Sequence, residues 1–193
     1  DISGKDSTIV FDLLGQLWTI PWGGGKATPI TNAVADTAED TDPVYSPDGS
    51  FIVFWSDRPE GTGRYTLNLS NGLISKLKNS RCSSSPAISA DGKKLAYAVN
   101  GKIAIYDFED KTEKILETDS LAPKMITSPS WVPNEKRILV VSGRGEFWTI
   151  PEEGGKATRI SDNIKIGSAP IINPAGDKLA YFSSDSAGKK QVF

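Results

Sequence analysis

Histidine is absent from this chain of 193 residues, and cysteine occurs once, at Cys82. Without histidine there is no Ser-His-Asp or Cys-His triad, no HExxH zinc site and no imidazole base. A lone cysteine excludes an internal disulfide and a cysteine-cluster metal site. Since the acidic residues also form no unique catalytic pair, we expect no catalytic residues, no metal site and no cofactor in a chain that is not an enzyme by itself, with a catalytic domain outside it as an open alternative.

An excess of one charge and a long apolar run are also missing. The 24 acidic and 22 basic residues leave a net charge of −2, which gives no electrostatic footprint for nucleic acid. No apolar stretch approaches the roughly 18 residues that span a bilayer, so we expect no membrane insertion. The start, DISGKDSTIVF, has no basic segment of a signal peptide, and a signal removed before Asp1 would leave the same start.

What the sequence does contain is a repeat of about 43 residues. The phrases PVYSPDG, PAISADG, PSWVPNE and PIINPAG are spaced by 43, 43 and 41 residues and begin at Pro43, Pro86, Pro129 and Pro170. A longer phrase, GQLWTIPWGGGKATPIT from Gly15, returns 130 residues later as GEFWTIPEEGGKATRIS, with 11 of 17 positions identical. Since 130 is about three periods, the second phrase belongs to the same repeat.

Every repeat carries short runs that are apolar at consecutive positions, as in a strand buried on both faces. Turn sequences such as SPDG, SADG and PAGD bound these runs. In the second repeat we place four strands near 43–46, 51–56, 65–69 and 74–78. Four strands in about 43 residues match one blade of a β-propeller.

The predicted fold is therefore all-β, a β-propeller of four-stranded blades in a single domain. The repeats fall approximately at 1–40, 41–83, 84–126, 127–167 and 168–193, which is about four and a half blades and an incomplete ring. We expect either a piece of a longer propeller or a ring that another chain completes. The open propeller edges make self-association an expected behaviour.

The repeat phrases resemble the WD40-like propeller repeat of the TolB type, with its pattern P-x-W-S-P-D-G-K-x-I-A-F. The match is close in DPVYSPDGSFIVFWSDR and PAISADGKKLAYA, and looser in PSWVPNEKRILVV and PIINPAGDKLAYF. The first repeat is also similar to the propeller that precedes the catalytic domain of some amidohydrolase-related proteins. The resemblance covers nearly the whole chain and implies the fold more strongly than it implies a function.

Candidate binding residues lie where the repeats differ from one another. The link VADTAEDTDP contains four acidic residues, which suit either a solvated loop or a Ca²⁺ or cationic partner: Asp36, Glu39, Asp40 and Asp42. The long connection SDRPEGTGR contributes Asp57, Arg58, Glu60 and Arg64, which form either surface ion pairs or a partner-binding rim. We expect this connection to share a face with the acidic link.

The tryptophans and the turn residues have different expected roles. Trp22, in a turn before three glycines, is either an exposed anchor for a partner or an ordinary surface aromatic. Trp131 is predicted on an innermost strand, facing either a neighbouring strand or the central channel. Trp18 and Trp148 occupy one column of the repeat and are expected to pack between blades. Asp48 and Asp91 recur with the repeat, which indicates turn residues rather than catalytic acids.

Two functional hypotheses follow. In the first, the chain is a non-catalytic scaffold that binds a protein or peptide with its channel mouth and inter-blade loops. The resemblance to TolB then implies a bacterial periplasmic or secreted protein, and a cytoplasmic location is the alternative. In the second, the chain is the accessory propeller of a larger hydrolase, of amidohydrolase or peptidase type, and controls access to a catalytic domain outside it.

Overall fold

A computed structural model describes residues 1–32, 37–77, 85–119, 126–161, 170–173, 175–184 and 190–192. Contacts divide the chain into two compact units, Asp1–Cys82 and Ser83–Phe193. In the described residues every regular element is a β-strand, and all strand pairs within the sheets are antiparallel. The all-β prediction is confirmed.

The first unit contains two sheets. The first blade is a sheet in the order β1-β2-β3, made of Thr8–Leu13, Gln16–Pro21 and Thr28–Pro29. Ile2 bridges Ile9, so the first residues occupy the place of an innermost strand. The second blade is four-stranded, in the order β4-β5-β6-β7, made of Asp40–Tyr45, Phe51–Ser56, Gly63–Asn68 and Ile74–Lys76.

The second unit contains two four-stranded blades and two short strand pairs. The third blade consists of β8 to β11, which are Ala87–Ile88, Lys94–Val99, Lys102–Asp107 and Thr112–Ile115. The fourth blade consists of β12 to β15, which are Ile126–Trp131, Arg137–Ser142, Phe147–Pro151 and Thr158–Arg159. Beyond them β16 pairs with β17 and β18 pairs with β19; these are Ile171–Ile172, Leu179–Ala180, Phe182–Ser184 and Lys190–Val192.

The second strand of each four-stranded blade is buried on both faces, as the apolar runs predict. In β5, Ile52, Val53 and Phe54 all have an exposed fraction of 0%. Neighbouring side chains of a strand point to opposite faces, so three consecutive buried residues require cover on both sides of the sheet. In the second unit, residues of the third and fourth blades together form one apolar core that includes Ala96, Ile103, Ile138 and Ile150. Stacking of the third and fourth blades therefore supplies cover within the second unit.

The innermost strand of the second blade begins earlier than predicted. The sequence places it at 43–46, whereas β4 runs from Asp40 to Tyr45. The pairing of β4 with β5 shifts register between Thr41 and Val44, and this β-bulge lets the strand continue in front of Pro43. The fourth blade has the same irregularity between Thr127 and Ser130. Proline lacks the N–H that a regular ladder needs, which is why both innermost strands bulge at this position.

The SPDG turn between β4 and β5 is closed by a serine and an aspartate. Ser46 is fully buried, and its Oγ donates to Asp48 Oδ1 at 2.7 Å and accepts from the Phe51 N–H at 3.0 Å. This hydrogen bond from Ser46 is the main cause that lowers the pKa of Asp48. Ser89 and Asp91 make the same bond at 2.6 Å in the third blade. The two aspartates are therefore turn residues, as their repetition predicts.

Replacement of this serine tests the turn. We expect Ser46→Ala to lower the free energy of unfolding by about 1–2 kcal/mol, because it removes a buried hydroxyl that bonds a carboxylate and a backbone N–H. Asp48, with a lowered pKa, stabilises the fold above the pKa of the unfolded state, and this contribution is lost as pH falls through the folded-state pKa. The difference in free energy of unfolding between wild type and variant should therefore narrow as pH drops below about 4, to the part that the bond from the Phe51 N–H contributes.

The control for that experiment is Ser70→Ala. Ser70 Oγ makes a similar bond to Asn68 Oδ1 at 2.7 Å, but on the exposed turn between β6 and β7. We expect a change below about 0.5 kcal/mol. An equal loss in both variants would show that burial of Ser46 adds nothing.

Candidate interaction face of the first unit

The turn between β1 and β2 exposes two leucines. Leu14 has 92% of its surface exposed and Leu13 has 49%. Leu14 and Gly15 have φ values of 51° and 74°, the pair of left-handed residues that defines a type I′ hairpin turn. The corresponding turn of the third blade uses Asn100 and Gly101 at φ 50° and 75°. Asparagine tolerates this conformation and leucine does not, so the first blade carries an apolar side chain where the backbone disfavours it.

This turn contacts the link that enters the second blade. The Asp40 N–H donates to the Gly15 carbonyl at 2.9 Å, and the side chain of Glu39 lies against Gly15. The Glu39 N–H in turn donates to Asp57 Oδ1 at 2.7 Å. Three connections, at 13–16, 37–42 and 57–62, therefore meet on one surface of the first unit. The expectation that the long connection lies beside the acidic link agrees with this geometry.

A buried ion pair holds the link against the second blade. Arg58 Nη2 donates to both carboxylate oxygens of Asp40, at 2.7 and 3.0 Å, and Ser56 Oγ donates to the same carboxylate at 2.7 Å. Asp40 is 2% exposed and Arg58 is 8% exposed. Burial raises the pKa of Asp40 and lowers the pKa of Arg58, because removal from water penalises the charged form of each. The guanidinium also lies 5.7 Å from the centre of the Phe54 ring.

A second ion pair fixes the start of β4. Arg64 Nη2 donates to Asp42 Oδ2 at 2.7 Å; the Arg64 side chain is 3% exposed and that of Asp42 is 39% exposed. Asp42 has a φ of 56° at the β-bulge in front of Pro43. Ser128 has a φ of 50° in front of Pro129 in the fourth blade, so this backbone conformation belongs to the repeat. The carboxylate at this position is particular to the second blade.

Because these ion pairs engage both arginines, the charges left exposed on this surface are carboxylates. Both cations of the long connection, Arg58 and Arg64, are buried against carboxylates. Asp12, Glu39 and Asp57 are exposed and belong to the same connected loops as the two leucines. Asp12 Oδ1 accepts from the Asp42 N–H at 3.3 Å, which joins Asp12 to the same cluster of loops. We call the surface formed by Leu13, Leu14, Asp12, Glu39 and Asp57 the Leu14 face.

The other residues predicted from sequence lie elsewhere. Trp22 is 64% exposed in the hairpin between β2 and β3, at the opposite end of β2 from Leu14. Trp131 is half-buried in the fourth blade, where its Nε1 donates to the Ala87 carbonyl of the third blade at 2.9 Å. Glu60 is exposed, and its carbonyl accepts from Lys76 Nζ at 2.7 Å. Asp36 lies outside the described residues.

The structure thus brings together six of the predicted residues, Glu39, Asp40, Asp42, Asp57, Arg58 and Arg64. Three of these six, Asp40, Arg58 and Arg64, are buried within the unit rather than presented to a partner. The sequence reasoning did not single out Leu13, Leu14 or Asp12. A signal was present, since the turn reads LLG in the first blade where the third has VNG and the fourth has GRG.

Over the described ranges, no group of three or more acidic or cysteine side chains is arranged to hold a metal ion. Within those same ranges, no helix is long and apolar enough to cross a membrane.

Successive four-stranded antiparallel blades that bury each other's faces define a β-propeller repeat protein. Residues 12–142 match the family model described as the TolB beta propeller domain. The chain belongs to the TolB β-propeller family.

Individual sequence relatives are also named as TolB proteins. The chain is 32% identical over 99 residues to the Tol-Pal system protein TolB of Francisella tularensis, a match covering 48% of this chain and 23% of that protein. It is 27% identical over 152 residues to the protein TolB homolog of Chlorobium luteolum, covering 75% of this chain and 34% of that protein. The matches therefore span between 23% and 34% of the length of these relatives.

Solved structures share the fold. A putative TolB from Agrobacterium tumefaciens superimposes with a TM-score of 0.78 at 21% identity, over 96% of this chain and 69% of that one. TolB from Acinetobacter baumannii gives a TM-score of 0.74 at 17% identity, over 96% and 48%. An oligogalacturonate lyase in complex with manganese gives 0.70 at 12% identity, over 99% and 63%. The β-propeller prediction is confirmed.

The buried pair under the Leu14 face can be tested by removing one partner. We expect Arg58→Met to lower the free energy of unfolding by about 3–5 kcal/mol, because it leaves the Asp40 carboxylate buried without its cation. Urea unfolding at neutral pH measures this loss. The double variant Asp40→Leu, Arg58→Met should recover at least half of it, since no charge is then left in the interior.

An exposed ion pair provides the matched control. Lys102 and Glu117 lie 3.3 Å apart with side chains 55% and 80% exposed, so Lys102→Met should cost less than about 1 kcal/mol. A loss of that small size in Arg58→Met would contradict the structural role of the buried pair.

Proposed function

We propose that this chain is a non-catalytic β-propeller scaffold of the TolB kind, which binds a protein or peptide with the turns and inter-blade loops of its first two blades. The observation that carries the proposal is Leu14, an almost fully exposed leucine in a left-handed turn. The loops around Leu14 come from the first two blades and include Glu39, Asp42 and Asp57, three of the residues predicted from the sequence.

The energetics of Leu14 favour a binding role. A leucine in the left-handed region costs about 1–2 kcal/mol, and exposure to water returns nothing to the free protein. Burial of the side chain by a partner would return about 1.5–3 kcal/mol. The residue therefore gains its favourable energy only in a complex. Leu13 beside it enlarges the apolar contact.

The charge around Leu14 indicates the chemistry of the partner. Asp12, Glu39 and Asp57 expose carboxylates at the edge of the leucines, while the nearby arginines are buried in ion pairs. A complementary segment carries an apolar side chain flanked by lysine or arginine. The ion pairs Asp40–Arg58 and Asp42–Arg64 keep the loops in place and so prepare the surface for binding.

The relatives suggest the setting. The Francisella protein is named as a member of the Tol-Pal system, and we infer that this chain acts in the bacterial periplasm with a protein partner of that kind. We also propose that the five repeats form a single propeller domain. Trp131, bonded to the neighbouring blade, then acts as a structural tryptophan of that domain.

A second candidate function is an accessory propeller that controls access to the catalytic domain of a larger hydrolase. It is favoured by the similarity of the first repeat to the propeller that precedes the catalytic domain of some amidohydrolase-related proteins; an enzyme of another class, the oligogalacturonate lyase, shares the fold. The content of the parent gene distinguishes the two candidates, because a hydrolase domain in the same reading frame supports the second and its absence supports the first.

Binding by the Leu14 face can be tested with a simple peptide. We expect the immobilised chain to bind a peptide of alternating leucine and lysine, and Leu14→Asn to weaken this binding at least about tenfold, because it removes the apolar contact. The same substitution should raise the free energy of unfolding by about 0.5–1 kcal/mol, since asparagine suits the turn. The Pal protein of a Tol-Pal system serves as a second probe.

Leu73→Asn is the control for that experiment. Leu73 is 61% exposed in the turn between β6 and β7, away from the Leu14 face, so its replacement should leave the binding unchanged. Equal binding by Leu14→Asn and wild type would contradict the proposal. If a peptide of alternating leucine and glutamate bound as tightly as the leucine and lysine peptide, the proposed role of the exposed carboxylates would be wrong.

The non-catalytic part of the proposal has its own test. With no histidine, and with the candidate acids engaged in turns and ion pairs, we expect no turnover of oligogalacturonate with Mn²⁺ or of chromogenic peptide and amide substrates. Product release is measured by absorbance with a blank lacking protein. Turnover that disappears in Asp42→Asn or Asp57→Asn would show an enzyme rather than a scaffold.

A further inference from the structure

Asp40 occupies a position that is apolar in another blade. In the strand pairing, Asp40 lies opposite Ser56 in the second blade and Ile126 lies opposite Ser142 in the fourth, each in front of the same β-bulge. Ile126 is 4% exposed and belongs to the apolar core of the second unit. An isoleucine therefore suits this place in the fold, and a buried carboxylate here needs a reason other than stability.

The cation that pairs with Asp40 comes from the connection between β5 and β6. Arg58 is the one buried side chain among residues 57–62, all of which the structure describes. Its Nη2 donates to both oxygens of Asp40, and its guanidinium lies 5.8 Å from the centre of the Tyr65 ring. Since no apolar side chain of the connection is buried, apolar packing does not hold it in place.

Polar bonds hold this connection instead. The Tyr65 hydroxyl donates to the Gly61 carbonyl at 2.7 Å near its end. At its beginning, Asp57 Oδ1 accepts from the Glu39 N–H at 2.7 Å. Arg58 follows Asp57 directly in the chain, so the buried pair is the anchor nearest to this exposed carboxylate of the Leu14 face.

The pair supplies position rather than charge. Asp40 and Arg58 carry opposite charges and are 2% and 8% exposed, so their joint removal changes neither the net charge nor the exposed carboxylates. A buried ion pair is often no more stabilising than apolar residues of similar volume, and its best-attested use is to specify one arrangement of the chain. The arrangement specified here is that of the connection which carries Asp57.

We propose that the Asp40–Arg58 pair is the positioning element that sets the charge selectivity of the Leu14 face, because it holds Asp57 where a lysine or arginine of the partner reaches it. This inference rests on the proposed function, since it needs a partner segment at that face. It goes further in separating two contributions. The leucines bind an apolar side chain, and the buried pair makes the face discriminate between cationic and anionic neighbours of that side chain.

The test compares two peptides on the wild type and on the double variant Asp40→Leu, Arg58→Met, which has the same net charge. One peptide alternates leucine with lysine and the other alternates leucine with glutamate. We expect the wild type to bind the lysine peptide at least about tenfold more tightly than the glutamate peptide, and the variant less than about threefold more tightly. Isothermal titration calorimetry on the whole 193-residue chain measures both constants.

Amide hydrogen exchange measures the positioning without a partner. In the double variant we expect the amides of Glu39 and Gly61 to exchange at least about tenfold faster, because their acceptors, Asp57 Oδ1 and the Arg58 carbonyl, are no longer fixed. The amides in the middle of β5 should remain protected, which shows that the blade is still folded.

Two further variants separate geometry from loss of stability. Arg58→Lys keeps the cation and removes the planar guanidinium that bonds both oxygens of Asp40, so it should lower the selectivity at least about threefold. This variant decides the question if the double variant does not fold. Ser46→Ala is the control, because it destabilises the blade at the other end of β5 and should leave the selectivity unchanged.

Asp57→Asn tests the carboxylate that the pair is proposed to position. Its amide oxygen still accepts from the Glu39 N–H, so the exchange rate of Gly61 should not change. The selectivity should fall as far as it does in the double variant. An unchanged selectivity in Asp57→Asn would overturn the inference.

The remaining outcomes distinguish this inference from the proposed function. Equal selectivity in the wild type, the double variant and Arg58→Lys would overturn the inference alone, since the lysine peptide would still bind. Unchanged exchange of Glu39 and Gly61 in the double variant would also overturn it. A wild type that binds neither peptide would overturn the proposed function, and this inference with it.

Discussion

The buried ion pair between Asp40 and Arg58 is the interaction on which the organisation of the first unit depends. It joins the link from the first blade to the long connection of the second blade, and its guanidinium also lies over the ring of Phe54. Each charge is removed from water, so neither is tolerable without the other. Through the adjacent bonds of Glu39 to Asp57 and of Asp40 to Gly15, the same pair determines where the loops of the Leu14 face lie.

The fold could be predicted from the sequence because the same buried positions and turn residues recur in several repeats. Columns such as Ile52, Leu95 and Ile138 recur at the period of the repeat, and all three are fully buried. The turn pair Ser46 and Asp48 recurs as Ser89 and Asp91 with the same hydrogen bond. The start of β4 was not predicted, because a proline suggests the first residue of a strand, whereas the β-bulge lets this strand run through Pro43 from Asp40.

The candidate site was only partly predictable. The expectation that the long connection lies beside the acidic link agrees with the structure, because connections at the same end of neighbouring blades share a face. Which charges remain exposed could not be read from the sequence, since Arg58 and Asp57 are adjacent in the chain, and yet one is buried and the other exposed. Leu14 was missed because an apolar residue beside a strand looks like core; its left-handed conformation becomes visible only in the structure.

At several equivalent positions the first blade has an uncharged residue where the fourth blade has a charged one. In the fourth blade Glu146 accepts from Trp148 Nε1 at 3.1 Å and pairs with Arg159 at 3.2 Å. In the first blade glutamine and proline occupy the two charged positions, and Nε1 of Trp18 is buried with no hydrogen-bond partner among the described residues. Trp22 likewise replaces a paired glutamate. The first blade has therefore exchanged internal charge pairs for apolar surface.

This exchange has a consequence for binding. A charge pair satisfied within the chain gains little from a partner, since both groups must lose their existing bonds before they form new ones. An apolar side chain in water has no such bonds to lose, and its burial is favourable with any surface of matching shape. Leu14 at one end of β2 and Trp22 at the other are of this kind. Leu14 in the first blade is thus better suited to an outside contact than Glu146 in the fourth, which is already paired with Arg159.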